Sequence, residues 1–132
     1  MIRNYLYLAA LALAGFSCTT EDEKPTDVRK PGIDLTSLEK RDTLFVSGDI
    51  LPIKATVNDN DKLKEIHVTV LNEADNSGLM HFMKPTIYSH DYIDTTYVLN
   101  TAEQATLKLR IEAIDLSGNT QFKEHRFHVA PR

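Results

Sequence analysis

Residues 107–113, Leu107-Lys108-Leu109-Arg110-Ile111-Glu112-Ala113, alternate apolar and charged side chains without a break. Successive side chains of an extended chain point to opposite faces, so this spacing gives one apolar face and one solvated face. A helix would scatter the same residues around its circumference. The stretch therefore predicts a half-buried β-strand. Upstream, Ile66, Val68 and Val70 alternate with Glu65, His67 and Thr69, and Ile53, Ala55 and Val57 alternate with Lys54 and Thr56. Tyr92 to Leu99 reads as a further strand, and the last one ends with Phe127 and Val129. Ile33, Leu35 and Leu38 suggest a first strand, with Leu44, Phe45 and Val46 continuing along the same edge. Between these runs lie the turn-forming clusters Asn58-Asp59-Asn60-Asp61 and Asp115-Leu116-Ser117-Gly118-Asn119, and an irregular stretch precedes Tyr92. After the leader no segment carries an apolar stripe at helical spacing. The expectation is an all-β domain, an immunoglobulin-like antiparallel β-sandwich of about seven strands.

The rest of the composition narrows the function classes. A chain of 132 residues holds one domain. With 15 basic against 19 acidic side chains and no basic cluster, it lacks the electrostatic footprint of a nucleic-acid binder. A single cysteine excludes an internal disulfide framework. Tryptophan is absent, so a stacking platform for sugars would rest on Tyr88, Tyr92 or Tyr97, and a glycan-binding role finds little material.

At the N-terminus, Arg3 is followed by an uncharged run from Tyr5 to Phe16, with the only cysteine, Cys18, at its end. That run is shorter than the roughly 20 residues a bilayer span needs and suits the apolar region of a secretory signal. It resembles a bacterial lipoprotein signal, in which the cysteine becomes the lipidated first residue. An ordinary signal peptide with an incidental cysteine is the other reading. The acidic cluster Glu21-Asp22-Glu23 resembles the surface-export signal of Bacteroidota-type lipoproteins, and it also suits a plain solvated tether. The expected organisation is a signal peptide over 1–17, a polar, acidic tether over 18–31 and the sandwich domain over 32–130. Membrane attachment through lipidated Cys18 follows from it. The expected place is the outer membrane, on its periplasmic or cell-surface side, with the cell surface favoured.

Two stretches carry a wider resemblance. Ala55-Thr56-Val57-Asn58-Asp59-Asn60-Asp61-Lys62-Leu63-Lys64-Glu65-Ile66 is similar to the second-to-third-strand corner of bacterial Ig-like modules. Ala113-Ile114-Asp115-Leu116-Ser117-Gly118-Asn119 is similar to their final hairpin. With the leader, the chain resembles a Bacteroidota family of short Ig-like lipoproteins of unknown function, over about residues 25 to 130. The resemblance implies a fold and a location, without an activity.

Enzymatic chemistry finds no constellation. There is no nucleophile elbow, Walker loop or zinc-protease helix motif. Ser89-His90-Asp91 holds triad residue types, but neighbours along an extended chain diverge. The chain is read as a non-enzyme without a required cofactor. The first candidate for chemistry is a calcium site formed by Asp59, Asp61, Asp115 and Asn119, because loops at one end of a sandwich would bring these hard oxygen donors together. Asn and Asp also cap their own backbone in turns, a use that needs no ion. The second candidate is a soft-metal site formed by Met80, His81 and Met83, whose thioether and imidazole donors suit copper. Covering the edge of the core is the alternative use for those methionines. His67 and His128 fall on one outer face, more than one strand apart, and Lys108, Arg110, Glu112, Lys123, Glu124 and Arg126 give that face mixed charge.

The functional expectation is a lipid-anchored envelope module with an interaction or scaffolding role and a protein partner. The alternative is a metal-binding accessory protein for uptake or sensing at the outer membrane.

Overall fold

The computed structural model describes residues 25–38 and 44–132; Cys18, the leader and the start of the tether lie outside them. Among the described residues there are eight strands and no helix. They are β1 (Gly32–Leu35), β2 (Leu44–Val46), β3 (Ile50–Asn58), β4 (Leu63–Asn72), β5 (Gly78–Pro85), β6 (His90–Val98), β7 (Ala105–Asp115) and β8 (Thr120–Ala130). One sheet has the order β1-β3-β6, the other β2-β8-β7-β4-β5. Every pairing is antiparallel except β2 with β8, which is parallel. The fold is a two-sheet, all-β sandwich, open along one side.

The alternating runs form its core. Leu51, Ile53, Ala55 and Val57 of β3 face Ile66, Val68 and Val70 of β4 and Leu107, Leu109, Ile111 and Ala113 of β7, all buried. Burying a side chain of this size stabilises the fold by roughly 1.5–3 kcal/mol before entropy is counted. Phe127 of β8 is fully buried and meets Phe45 of β2 edge-on, with ring centroids 5.5 Å apart.

Three expectations are corrected. The first edge strand is two strands: β1 pairs with β3 in the smaller sheet, whereas β2 pairs with β8 in the larger one. Part of the stretch expected to be irregular is β5, an edge strand paired with β4. Its sequence concealed it. Leu79, Met80, Phe82 and Met83 give it apolar side chains on both faces, so no single apolar row marks it as a strand. The mixed-charge outer face also loses one member. Lys123 stands opposite inward Ile111, while Phe122 takes an outward position opposite Glu112, beneath the Arg110 guanidinium at 4.1 Å from its ring centroid.

The loops after β3, β5 and β7 meet at one end of the sandwich. Asp59 N–H donates to Ser89 O, Leu63 N–H to Tyr88 O and Leu116 N–H to Lys62 O, at 2.8–3.0 Å.

Candidate metal centre

The apolar row of β7 ends on a carboxylate. One period beyond Ala113, Asp115 takes the next inward position and is 1% exposed. In the opposing sheet, Asp59 stands one period beyond Val57, half-buried just past the end of β3. Both rows therefore finish in an acid at the same end of the molecule. A third acid arrives from the N-terminal segment, where Asp27 is held by Asn119, whose side-chain amide donates to Asp27 O at 2.9 Å.

These three carboxylates converge. One oxygen from each of Asp27, Asp59 and Asp115 lies within 4.8 Å of the others. Oxygens sharing one calcium ion, bound at 2.3–2.6 Å, are at most about 5 Å apart, so the spacing suits a common ion. Local structure fixes each acid. Asn119 donates its backbone N–H to Asp115 Oδ1 at 2.8 Å and its side-chain amide to Asp115 Oδ2 at 2.7 Å. Gly118, at φ +87°, makes the tight turn that returns Asn119 to Asp115. The Asp61 N–H donates to Asp59 Oδ2 at 3.0 Å. The Arg29 N–H donates to Asp27 Oδ1 at 2.9 Å and, ahead of the Asn60 side chain and the Arg29 charge, holds that carboxyl below the ordinary carboxylate range.

The remaining oxygens set the chemistry. Asp27 Oδ2 and Asp59 Oδ1 are buried without a hydrogen-bond partner in the protein. An unpaired buried polar atom is costly, and here two such atoms belong to carboxyl groups placed near one another. A hard divalent cation would offset both the desolvation and the mutual repulsion.

Of the four residues expected to form this site, Asp59, Asp115 and Asn119 meet, with Asn119 orienting the acids through its amide. Asp61 is outside the carboxylate cluster. Asp27 was not legible as a member, since it stands in a segment with no hydrophobic period.

The soft-donor set is divided by strand alternation. Met80, opposite Val70, packs against the core, whereas His81 and Met83 take positions on the outer face opposite Thr69 and His67. His81 meets His67 instead, with its Nε2 3.1 Å from His67 Nδ1.

At the loop end, an open groove of about 530 Å³ is lined by Lys64, Lys84, Ile87, Tyr88, Tyr92 and Leu116, among others. Ile87, Tyr88, Tyr92 and Leu116 are 56–68% exposed. Its floor includes an ion pair that the sequence did not advertise: Lys84 Nζ donates to Asp91 Oδ1 at 2.6 Å and to Tyr92 O at 3.0 Å. Asp91 takes an inward position of β6, two residues before buried Ile93. That burial and the bond to Lys84 separate its carboxylate from exposed His90, so the run 89–91 forms no triad.

A family model described as "Domain of unknown function (DUF4625)" matches residues 16–115. No curated protein matches the chain.

Proposed function

The chain belongs to the DUF4625 family, defined by a shared domain of unknown function, and we propose that it is a non-enzymatic interaction module of the cell envelope. In this reading an Ig-like sandwich is anchored through lipidated Cys18 and engages a protein partner, with the outer membrane, and its cell-surface side, as the favoured place. The observation that carries it is the exposed apolar rim formed by Ile87, Tyr88, Tyr92 and Leu116. Tyrosine rings supply large, rigid contact area, and recognition surfaces are enriched in them. Lys64 and Lys84 beside the rings add charge for orienting a partner. The anchoring half is tested by fractionating cells that express wild type or Cys18→Ser. Loss of the variant from the membrane fraction is expected; an unchanged membrane fraction contradicts anchoring through Cys18.

A second reading, a metal-binding accessory protein, is favoured by the convergence of Asp27, Asp59 and Asp115. The residue chemistry fits calcium: hard carboxylate oxygens, two of them buried and unpartnered. Such an ion would link the N-terminal segment to both sheets. The test is a thermal melt of the full chain in detergent, stripped with EDTA and then given calcium. A higher midpoint with calcium is expected, and an unchanged midpoint at millimolar calcium contradicts the reading.

A further inference from the structure

The outer face of the larger sheet carries a second constellation, remote in chemistry from the carboxylates. β4 and β5 are antiparallel neighbours in which His67 pairs with Met83 and Thr69 with His81. His67 and His81 are thus diagonal neighbours on one face, the relation that lets long side chains on adjacent strands touch. Their rings lie 5.4 Å apart between centroids, tilted by 33°. His67 Nδ1 is 3.1 Å from His81 Nε2. On the other side of the same ring, Glu65 Oε1 is 3.2 Å from His67 Nε2.

Glu65 decides the tautomer. An ionised carboxylate only accepts, so His67 donates Nε2–H to it and carries its lone pair on Nδ1, directed at His81. A carboxylate behind an imidazole is the arrangement that orients metal-ligating histidines and raises their basicity. With that tautomer of His67, the matching partner across the 3.1 Å gap is an Nε2–H on His81. His81 is exposed, so water can receive its proton on Nδ1 instead, freeing Nε2 as a second ligand.

We propose that His67 Nδ1 and His81 Nε2 bind one divalent transition-metal ion, with Glu65 positioning His67 from behind. The geometry favours particular metals. At metal–nitrogen distances near 2.0–2.1 Å, nitrogens 3.1 Å apart subtend about 95–100° at the ion. That is close to the cis angle of square-planar or octahedral coordination and narrower than the tetrahedral angle zinc prefers in structural sites. Cu²⁺ therefore binds tightest, by geometry and by its place at the head of the divalent series. The side chains present supply two ligands and water completes the set. Strand pairing sets the spacing of the two residues without any help from the loops.

The test uses the full chain in detergent, stripped with EDTA and titrated with Cu²⁺ in a non-coordinating buffer. Electron paramagnetic resonance reads the number of equatorial nitrogens. One tight equivalent with two nitrogens is expected. His67→Ala and His81→Ala should each remove one nitrogen and weaken binding at least tenfold, and Glu65→Ala should weaken it about 10–100-fold with both nitrogens retained. His128→Ala should leave the spectrum and affinity unchanged. All substituted histidine and Glu65 positions face outward, and a melt of each variant checks that it folds. Absence of a saturable equivalent overturns the proposal. So does a spectrum that survives both His67→Ala and His81→Ala.

Discussion

Lys84 Nζ lies 2.6 Å from Asp91 Oδ1 and joins the free edge of one sheet to the free edge of the other. β5 and β6 share no ladder, so this contact holds the open side of the sandwich across its mouth. Lys84 also lies over the Tyr92 ring, 5.0 Å from its centroid, which fixes one wall of the groove. The pair is about one third in water on the lysine side, with side-chain exposures of 34% and 10%. Its contribution therefore belongs with charge-assisted hydrogen bonds at a partly buried site.

Asp91→Asn should cost about 1–3 kcal/mol at neutral pH, read as a lower denaturant midpoint. Burial pushes the Asp91 carboxyl up, but hydrogen bonds from Lys84, Thr86 and the Tyr92 N–H outweigh it and leave it below the ordinary value of 3.8. A depressed carboxylate stabilises fully above its unfolded-state value, and the benefit disappears as pH falls through the folded one. The gap between wild type and Asp91→Asn should hold from pH 7 to about 5 and close below about 3.8. A gap that stays constant or widens as pH falls below 3.8 would contradict this.

Calcium at 100 times its dissociation constant adds about 2.7 kcal/mol to a native state that alone binds it, a shift of several degrees. Asp27→Asn, Asp59→Asn and Asp115→Asn should each abolish the shift, while Asp61→Asn should leave most of it. Equal sensitivity to Asp27 and Asp61 would mean the loop acids act through general charge.

Phe127→Ala should cost about 3–5 kcal/mol, because the ring is fully buried and braces β2 through Phe45. Phe122→Ala, on the outer face beneath Arg110, should cost about 1 kcal/mol. Urea unfolding of the two variants measures the contrast. Comparable losses would contradict the assignment of inner and outer faces on β8.

Gly118→Ala tests the turn that returns Asn119 to Asp115. A Cβ there meets nothing within 4 Å, so the cost comes from the backbone alone at φ +87°. Roughly 1 kcal/mol is expected, together with weaker calcium stabilisation. No change in either would show that the turn relaxes freely.

What the sequence disclosed follows from how many side chains each strand buries. β3, β4 and β7 are central or paired on both sides, and their period-two rows were legible. The same period, extended one step, leads from Ala113 to Asp115 and from Val57 to Asp59. β5 was not legible, because an edge strand with Phe82 and Met83 exposed carries no single apolar face. Asp27 depends on a contact with Asn119 across 92 positions, and nothing local marks it. The pairing of His67 with His81 required the register of two strands, since either residue alone reads as a solvated histidine. Lys84 and Asp91 likewise meet only once both sheet edges are in place.

The most direct test of the interaction-module account is photo-crosslinking in cells that express the full chain. A photoreactive residue would replace Tyr88 on the groove rim or Arg110 on the outer sheet face. The account predicts one discrete protein adduct from position 88, reduced at least tenfold by Leu116→Ala with Tyr92→Ala, and none from position 110. The same adducts from both positions, or an adduct at 88 indifferent to those substitutions, would contradict a recognition role for the rim.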